Sequence, residues 1–447
     1  MASSPLYSFL LELFIVCFFV APTLATSRGA IDQGMRSPTG FRVELKHVDS
    51  GTNFTKFERI QRAVERGNHR LHKLSAISKA VVESGVEAPV RVGQGEFLMT
   101  LAIGTPASSF SAIMDTGSDL IWTQCEPCNR CFDQPTPIFH PNKSSSFSPL
   151  SCSTNLCQQL PLSTCDDGCQ YVYQYGDDSS TAGVLASETF TFGSVSVLKI
   201  GFGCGSDNDG TGFSQGAGVV GLGRGPLSLV SQLDEPKFSY CLISIHEDGS
   251  KTSPLLLGSV ASNLTSLKHH GAIKSTPLLH NQLQPSFYYL KLEGISVGGT
   301  RLPINESTFE LREDGSGGLI IDSGTTITYI EESAYDVVRK EFVSQMNLTV
   351  NDNSSAGLDL CFDLPSDAQV SGELTVPELI FHFDEADLSL PGDNFMIGDD
   401  EEGLVCLAMG SSNGISILGN TQQQNFLVLH DLEKETVSFI PTQCSDL

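Results

Sequence analysis

Basic residues are scarce in this sequence. Its 447 residues include 26 Lys and Arg against 52 Asp and Glu, a formal net charge of −26. An acidic chain of this kind repels nucleic acid and anionic membranes, so neither is expected as a partner. Its few basic residues are concentrated in residues 26–80, where there are eleven of them and only five acidic residues. A basic leader therefore precedes an acidic body.

The acidity of the body has two explanations. Repulsion among its carboxylates weakens as the pH drops toward their pKa range, so the protein would suit acidic working conditions. Acidity could equally serve solubility alone. Charge by itself leaves both explanations open.

Long apolar runs are also lacking, since a membrane-spanning helix needs about 20 apolar residues. The longest candidate, Leu6 to Val20, is shorter, includes Glu12 and is followed by small residues. This pattern predicts a signal peptide over residues 1–25. Residues 441–447 provide no apolar tail for a lipid anchor. We expect a secreted, extracellular protein without a membrane anchor, and a vacuolar destination stays open.

The cysteines do not form a zinc pattern. Cys125, Cys128 and Cys131 have C-x-x-C-x-x-C spacing, but no second cluster with His ligands follows, so no metal is expected. Of the thirteen cysteines, Cys17 lies in the signal peptide, which leaves twelve for disulfides in an oxidising compartment. The secretory pathway could also glycosylate six N-x-Ser/Thr sequons. These begin at Asn53, Asn142, Asn263, Asn305, Asn347 and Asn353.

Glycine and proline, in contrast, are plentiful, at 42 and 21 residues. They separate short segments rich in Val, Ile, Thr and Phe, which predict short strands joined by turns. Such a strand is expected within residues 96–103, and the body begins near Val90. The sequence thus favours an all-β fold with few short helices.

Two helices are predicted. The leader has apolar residues at near-helical spacing, with arginines on the other faces and Gly67 as a candidate interruption. The apolar positions are Phe57, Ile60, Val64, Leu71, Leu74 and Ile77, and the arginines are Arg59, Arg62, Arg66 and Arg70. A second helix, from Ala334 to Met346 and capped by Ser333, would serve the scaffold, with Tyr335, Val338, Phe342 and Met346 buried.

A basic amphipathic helix ahead of an acidic domain suits a propeptide. It would cover an acidic cleft and leave when the carboxylates become protonated. A membrane-surface helix is the weaker alternative, because an acidic partner lies on the same chain.

An internal duplication is the main organisational signal. The apolar strand before Asp115 leads into Asp-Thr-Gly-Ser, and the apolar strand before Asp322 leads into Asp-Ser-Gly-Thr. About a hundred residues after each motif, an apolar segment ends in Leu-Gly, at residues 222–223 and 418–419. The simplest architecture for this pattern has two β lobes with a cleft between them, and each lobe contributes one carboxylate.

The paired carboxylates define a chemistry. Glycine in each turn allows the two backbones to approach closely. Two adjacent carboxyl groups cannot both ionise easily, so the pair shares a proton and titrates as a unit. One member then takes a proton from water while the other donates one to a peptide carbonyl. This predicts hydrolysis of peptide bonds at acidic pH by Asp115 and Asp322, without a cofactor.

Several segments resemble the pepsin-like aspartic proteases, and more closely the plant nepenthesins. They are residues 40–50, 113–125, 317–328 and 422–425. The resemblance implies a bilobal pepsin-like fold, catalysis by Asp115 and Asp322, and support of this dyad by Thr116, Gly117, Ser118, Ser323, Gly324 and Thr325. It also implies that Tyr175, followed by Gly176 and Asp177, is the flap tyrosine over the substrate, with Trp122 as its partner.

The resemblance further implies a domain division and a disulfide pattern. A propeptide at residues 26–80 precedes an N-terminal lobe at 81–243, which carries a Cys-rich insertion at 125–169, and a C-terminal lobe at 244–447. The implied pairs are Cys125 with Cys128, Cys131 with Cys204, Cys152 with Cys169, Cys157 with Cys165, Cys241 with Cys444, and Cys361 with Cys406. In this interpretation the insertion is a module that is cross-linked by disulfides and tolerates acid.

The sequence thus predicts a monomeric aspartic endopeptidase that is made as a zymogen. Its partners would be protein or peptide substrates and its own propeptide. The alternative is a non-catalytic binding protein on the same scaffold, similar to the plant inhibitors of cell-wall glycosidases. Such proteins lose part of the catalytic apparatus, whereas both aspartates, both glycines and Tyr175 are present here.

Overall fold

The computed structural model describes the chain from residue 40 onward, with gaps. The described residues are 40–84, 96–165, 168–175, 179–210, 213, 215–244, 251–263, 271–352, 357–364, 375–399 and 401–447. The side chains of residues 73 and 76–84 are also not described. The predicted signal peptide, Gly176, Asp177, Asn353 and the side chain of Ile77 therefore lie outside the described part.

Strands dominate the described part of the chain, as its short β-branched and aromatic segments predict. In the first half these are β1 Gly40–His47, β2 Phe97–Ile103, β3 Ser108–Asp115, β4 Trp122–Gln124, β5 Ser148–Pro149, β6 Ser163–Thr164, β7 Gln170–Gln174, β8 Ser180–Phe192, β9 Val195–Asp209, β10 Gly218–Gly221, β11 Lys237–Cys241, β12 Ser253–Gly258 and β13 Lys274–Leu279. The all-β prediction is confirmed.

The remaining strands, in the second half of the chain, are also short. They are β14 Tyr289–Leu290, β15 Leu292–Val297, β16 Thr300–Arg301, β17 Leu319–Ile321, β18 Thr328–Glu331, β19 Cys361–Asp363, β20 Leu379–Phe383, β21 Ala386–Leu390, β22 Met396–Asp399, β23 Leu404–Leu407, β24 Met409–Ser412, β25 Ser416–Leu418, β26 Phe426–Asp431 and β27 Thr436–Pro441. Among described residues the helices are α1 Lys56–Ser84, α2 Asn155–Gln158, α3 Glu332–Gln345 and α4 Asn420–Gln423.

Twenty strands join into one hydrogen-bonded sheet, beside a four-stranded sheet (β16, β15, β20, β21) and a three-stranded one (β19, β23, β22). The two halves meet where β11 pairs antiparallel with β26, with Phe238 opposite His430. The leader joins the same sheet, because β1 pairs antiparallel with both β2 and β12. The leader strand is thus part of the fold.

The duplicated motifs have matching strand arrangements. β3 runs parallel to β10, which places Asp115 opposite Gly221, and β10 also pairs antiparallel with β4. In the second half β17 runs parallel to β25, and β25 pairs antiparallel with β18. Each aspartate therefore lies where a buried strand ends between two partners. The segment that ends in Leu-Gly is thus, in each half, the parallel neighbour of the strand that carries the aspartate.

The leader helix α1 is continuous, so the expected interruption at Gly67 does not occur. The helix lies close to the body here, because a Cβ atom at this position would be in ordinary van der Waals contact with Thr326, at 3.4 Å. Four predicted apolar residues of α1, namely Ile60, Val64, Leu71 and Leu74, are buried against a C-terminal cluster that includes Phe287, Tyr289, Ile327 and Tyr329. Phe57 packs on its edge.

Helix α3 buries the predicted side chains of Tyr335, Val338, Phe342 and Met346. Its start differs from the prediction, because Glu331 rather than Ser333 is the N-cap. The Glu331 side chain accepts a hydrogen bond from the Ser333 amide. The predicted cap was therefore wrong: the sequence pointed to Ser333 because a hydroxyl is a preferred cap, whereas the longer Glu331 side chain reaches the free amide from two residues earlier.

All twelve cysteines outside the signal segment form disulfides, but four of the six implied pairs are wrong. Only Cys241–Cys444 and Cys361–Cys406 agree. The structure pairs Cys125 with Cys204, Cys128 with Cys131, Cys152 with Cys165 and Cys157 with Cys169. The first follows from the parallel pairing of β4 with β9, which brings Cys204 opposite Thr123 and beside Cys125. Cys128 and Cys131 are then left to close a short loop.

The other exchange lies in the insertion. Helix α2 buries Cys157, and Cys169 is buried just before β7, so these two meet in the same apolar cluster. Cys152 remains partly exposed and pairs with Cys165 at the surface. Burial thus sorts the four cysteines into an inner and an outer bridge.

Candidate active site

The two sequence motifs meet in the interior. Asp115 and Asp322 are at most 1% exposed; Asp115 is the last residue of β3, and Asp322 immediately follows β17. The Thr116 hydroxyl donates to Oδ1 of Asp322 at 3.1 Å and accepts from the Ser323 amide at 3.1 Å. Thr116 thereby links the turns of the two halves.

Each carboxylate is oriented by its own turn. Ser118 Oγ donates to Asp115 Oδ2 at 2.5 Å, and Thr325 Oγ1 donates to Asp322 Oδ2 at 2.6 Å. The amides of Gly117 and Gly324 donate to the Oδ1 atoms at 3.1 and 3.3 Å. All six residues that sequence assigned to dyad support lie around the pair. The two carboxylates are thus held with their Oδ1 atoms toward the same space.

Arg70 of the leader helix occupies that space. Its Nη2 lies 2.7 Å from Oδ1 of Asp115 and 2.7 Å from Oδ1 of Asp322, and its Nε lies 2.5 Å from Asp322 Oδ2. A Cβ atom added at Gly117 would lie 2.7 Å from Nη2, and one at Gly324 would lie 2.6 Å from Cζ. The two glycines therefore form the walls between which the guanidinium fits.

The electrostatics of this contact favour the charged forms of Asp322 and Arg70. Burial opposes ionisation of Asp322, but the charge and hydrogen bonds of Arg70 outweigh it and lower the pKa of this carboxyl. Burial likewise opposes the charged form of Arg70, and the two aspartates outweigh it and raise its pKa further. A buried cation is stable only when it is paired in this way.

A second ionic cluster holds the same helix at Arg66, four residues before Arg70. Arg66 Nε lies 2.9 Å from Glu96 Oε1, and Arg66 Nη2 lies 2.8 Å from Asp49 Oδ2. His47 Nε2 lies 2.9 Å from Glu96 Oε2. Thr326, which follows the Asp322 motif, donates to Glu96 Oε1 at 2.9 Å. The cluster connects the leader, residue 96 and the turn after Asp322.

The predicted flap pair is in contact. Trp122 Nε1 donates to Tyr175 Oη at 2.6 Å, and both side chains are buried. Tyr175 follows β7, and its amide donates to the Ser179 carbonyl at the start of the return strand β8. Phe213 packs against both rings. The tyrosine is therefore held at the end of β7, between Trp122 and the start of β8.

Sequence reasoning missed Arg70, Arg66 and Glu96. The arginines were expected on the outer faces of α1, yet Arg70 and Arg66 are 1% and 3% exposed. One signal was available, because both lie in the same register as the buried Ala63 and Gly67. A cationic side chain within the apolar face of a helix indicates an acidic partner across the interface.

The remaining predicted sites lie at the surface. The residues Asn53, Asn142, Asn263, Asn305 and Asn347 are exposed, and Asn305 also caps a short turn through the Ser307 amide.

Within the described ranges, no three His, Cys, Asp or Glu residues are arranged to hold a metal ion. None of the described helices has an apolar stretch long enough to cross a bilayer.

Comparison with known proteins identifies the family. A family model described as "Xylanase inhibitor N-terminal" matches residues 97–259, and one described as "Xylanase inhibitor C-terminal" matches residues 287–441. Aspartic proteinase nepenthesin-1 of Nepenthes gracilis is 55% identical over 99% of both chains. Nepenthesin-2 of the same species is 53% identical over 99% of both. Aspartyl protease family protein 2 of Arabidopsis thaliana is 36% identical over 90% of this chain and 85% of its own.

Solved structures support the same fold. The crystal structure of edgp matches with a TM-score of 0.64 at 19% identity, over 93% of this chain and 97% of that one. Basic 7S globulin from soybean matches with a TM-score of 0.60 at 20% identity, over 80% and 97%. These likenesses concern the fold alone. Together with the proteinase relatives, they show that the chain belongs to the plant pepsin-like aspartic proteases of the nepenthesin type and is an aspartic-type endopeptidase.

Proposed function

We propose that this endopeptidase is made as a secreted zymogen and cleaves proteins at acidic pH, with Asp115 and Asp322 as the catalytic dyad. The observation that carries the proposal is the guanidinium of Arg70, which contacts both carboxylates at 2.5–2.7 Å. A cation held there leaves no room for a water molecule between the carboxylates. Removal of the leader would restore that room.

The proposed chemistry needs only the groups already described. One carboxylate takes a proton from water, and the resulting oxygen attacks the peptide carbonyl. The other carboxyl donates its proton to the carbonyl oxygen, which gives a tetrahedral gem-diol. The hydroxyls of Ser118 and Thr325 hold the outer oxygens, so the inner ones face the reacting atoms. Collapse with protonation of the nitrogen releases the amine.

The leader acts in this proposal as a propeptide at residues 26–80. The leader, which comprises strand β1 and helix α1, contacts the body in three ways. The apolar face of α1 packs on the C-terminal cluster, Arg66 pairs with Glu96, and Arg70 pairs with Asp115. The helix of a basic leader thus meets carboxylates of an acidic body. Protonation of those carboxylates removes the charges that hold it, and the leader separates in acid.

The rest of the organisation follows the same scheme. Residues 1–25 direct secretion, the lobes comprise residues 81–243 and 244–447, and the mature enzyme is a monomer. The insertion at residues 125–169 is anchored by disulfides, which do not depend on ionisation. The exposed sequons carry glycans in an oxidising compartment. The final destination of the enzyme is the extracellular fluid or the vacuole.

One experiment tests maturation and chemistry together. The full chain is shifted from neutral pH to about pH 3–4, and its length and the digestion of a denatured protein are followed with and without pepstatin. We expect loss of the leader and pepstatin-sensitive digestion. Asp115→Asn and Asp322→Asn chains should fold, as judged by circular dichroism, and digest nothing.

Two outcomes would contradict the proposal in different ways. Full activity in either Asn variant would refute the dyad. A folded chain that digests nothing, even after the leader is removed with another protease, would favour a binding protein on this scaffold.

A further inference from the structure

Asp119 is a buried carboxylate for which the chemistry above has no role. It lies four residues after Asp115 and is 8% exposed. Its Oδ1 accepts a hydrogen bond from the Gly225 amide at 2.9 Å, and its Oδ2 accepts one from Ser286 Oγ at 2.5 Å. One side chain thus bonds the loop after β10 in the N-terminal half and the segment before β14 in the C-terminal half.

The loop Leu222 to Gly225 lies directly against the first catalytic turn. The Leu222 amide donates to the Asp115 carbonyl at 2.8 Å, and the Gly223 amide donates to the Ser118 carbonyl at 2.8 Å. Cβ atoms at Gly223 and Gly225 would lie 2.3 and 2.0 Å from the oxygens of Asp119. Glycine at these positions is required for the approach, so the loop and the Asp119 carboxylate form one packed unit.

The contact with Ser286 continues to the second catalytic turn. The Arg224 amide donates to the Ser286 carbonyl at 3.0 Å, and Tyr288 Oη donates to the Leu222 carbonyl at 2.6 Å. The Ile321 amide in turn donates to the Tyr288 carbonyl at 3.0 Å, and Ile321 immediately precedes Asp322. A short series of hydrogen bonds therefore connects Asp119 to both catalytic strands.

We infer that Asp119 is a positioning residue, which fixes the separation of the two catalytic carboxylates by bonding the loop beneath Asp115 to Ser286 of the opposite lobe. The inference rests on the proposed assignment of Asp115 and Asp322. It differs from the link through Thr116, because Thr116 contacts the Asp322 carboxylate itself and Asp119 acts from behind the turns. Catalysis that depends on two groups acting together is sensitive to displacements of about 1 Å.

The test uses the full chain, activated in acid and assayed on a fluorogenic peptide, with active sites counted by pepstatin titration. Asp119→Ala should lower kcat per titrated site by about 10- to 100-fold, with KM within about twofold of the wild type. Asp119→Asn should recover most of kcat, because its amide side chain can still bond Gly225 and Ser286. Ser286→Ala, which removes only the contact across the lobes, should lower kcat less than Asp119→Ala.

The matched control is Asp314→Ala. Asp314 accepts hydrogen bonds from the amide and hydroxyl of Ser316 in an exposed turn, and its loss should leave kcat unchanged. The inference would be overturned if Asp119→Ala and Ser286→Ala both kept the wild-type kcat. It would also be overturned if Asp119→Asn lost as much kcat as Asp119→Ala. If Asp119→Ala does not fold, Ser286→Ala decides. Activity retained in Asp115→Asn would instead refute the proposed dyad, whatever the Asp119 variants do.

Discussion

Arg66 and Glu96 form an ion pair that is closed to solvent, with their side chains 3% and 0% exposed and Nε 2.9 Å from Oε1. Arg66 belongs to the leader helix, and Glu96 lies immediately before β2. Buried partners of this kind depend on each other, because removal of one leaves the other charged group without compensation. The pair therefore couples docking of the leader to the protonation of Glu96.

Replacement of Glu96 by Gln should speed conversion of the full chain in acid. Burial alone would raise the pKa of Glu96, but Arg66 and His47 outweigh it and lower the pKa to about 2, from an ordinary 4.5. A depressed carboxyl pKa contributes stability that is complete above pH 4.5 and declines as the pH falls toward 2. Glu96→Gln lacks this contribution at every pH, so it should convert about tenfold faster at pH 4.5.

Gel electrophoresis over time measures the conversion, and the control is Glu65→Gln. Glu65 is exposed on α1, and its loss removes the same charge without a buried partner. Equal half-times for Glu96→Gln and the wild type would show that the buried pair does not hold the leader.

Replacement of Arg70 by Gln should make the uncleaved chain active. The change removes the cation between the carboxylates, and breaking such a buried pair costs about 3–5 kcal/mol. At pH 5 the variant, still of full length, should turn over a small fluorogenic peptide that the wild type does not cleave. Lys56→Gln, at the exposed start of the same helix, is the control. A variant as latent as the wild type would remove Arg70 from the account of inhibition.

Replacement of Tyr175 by Phe tests the flap. It removes the hydrogen bond from Trp122 Nε1, whose length is 2.6 Å, and retains the ring. A bond of this kind contributes about 0.5–1.5 kcal/mol, so kcat/KM should fall about 2- to 10-fold. Tyr171→Phe is the control, because Tyr171 Oη bonds Thr181 Oγ1 in the same hairpin at 2.9 Å. It should lower the melting temperature alone, and equal losses of kcat/KM in both variants would argue against a flap role.

Replacement of His430 by Phe should raise stability in acid. Burial lowers the pKa of His430 to about 3, and the ring stacks on Phe238 with centroids 4.5 Å apart. The unfolded chain therefore binds a proton that the folded chain excludes, and stability declines as the pH falls from 6.5 toward 3. At pH 4 the loss is about 3 kcal/mol. Phe, which does not titrate, should remove it.

Thermal unfolding at pH 7 and pH 4, in an Asp115→Asn background that prevents self-digestion, measures the effect. Between pH 7 and pH 4, the melting temperature should fall less in His430→Phe than in the parent. The fall should be unchanged in the exposed control His140→Phe. An unchanged drop in His430→Phe would mean that other groups govern acid stability.

The sequence predicted those parts of the site that are local. Asp115 and its turn lie within four residues, and the duplicated motifs predicted that each half contributes one aspartate, whereas the parallel pairing with the Gly221 segment is seen only in the structure. The contact of Arg70 with both carboxylates could not be predicted in this way, because it depends on how α1 is rotated and placed along the body. That register is set by apolar contacts of Leu71 and Leu74 with residues more than 200 positions away.

The disulfides illustrate the same limit. Cys241 ends β11, which pairs antiparallel with β26, and Cys444 follows β27, the other neighbour of β26, so the two cysteines meet across these strands. In the insertion, four cysteines lie within 18 residues of one another. Spacing does not distinguish their pairings, and only the burial of Cys157 and Cys169 in one cluster decides. Local sequence thus specifies chemistry better than it specifies connectivity.

Helix α1 brings Arg70 to the dyad in a form that the enzyme cannot use as a substrate. A protease cleft of this kind binds a chain in extended conformation, whereas every peptide bond near Arg70 is tied into i to i−4 hydrogen bonds. The leader segment closest to Asp115 and Asp322 is therefore the one most protected from cleavage. In the proposed zymogen, cutting of the leader has to wait for unwinding of the helix, so the folding equilibrium of one helix sets the time at which the leader can be removed.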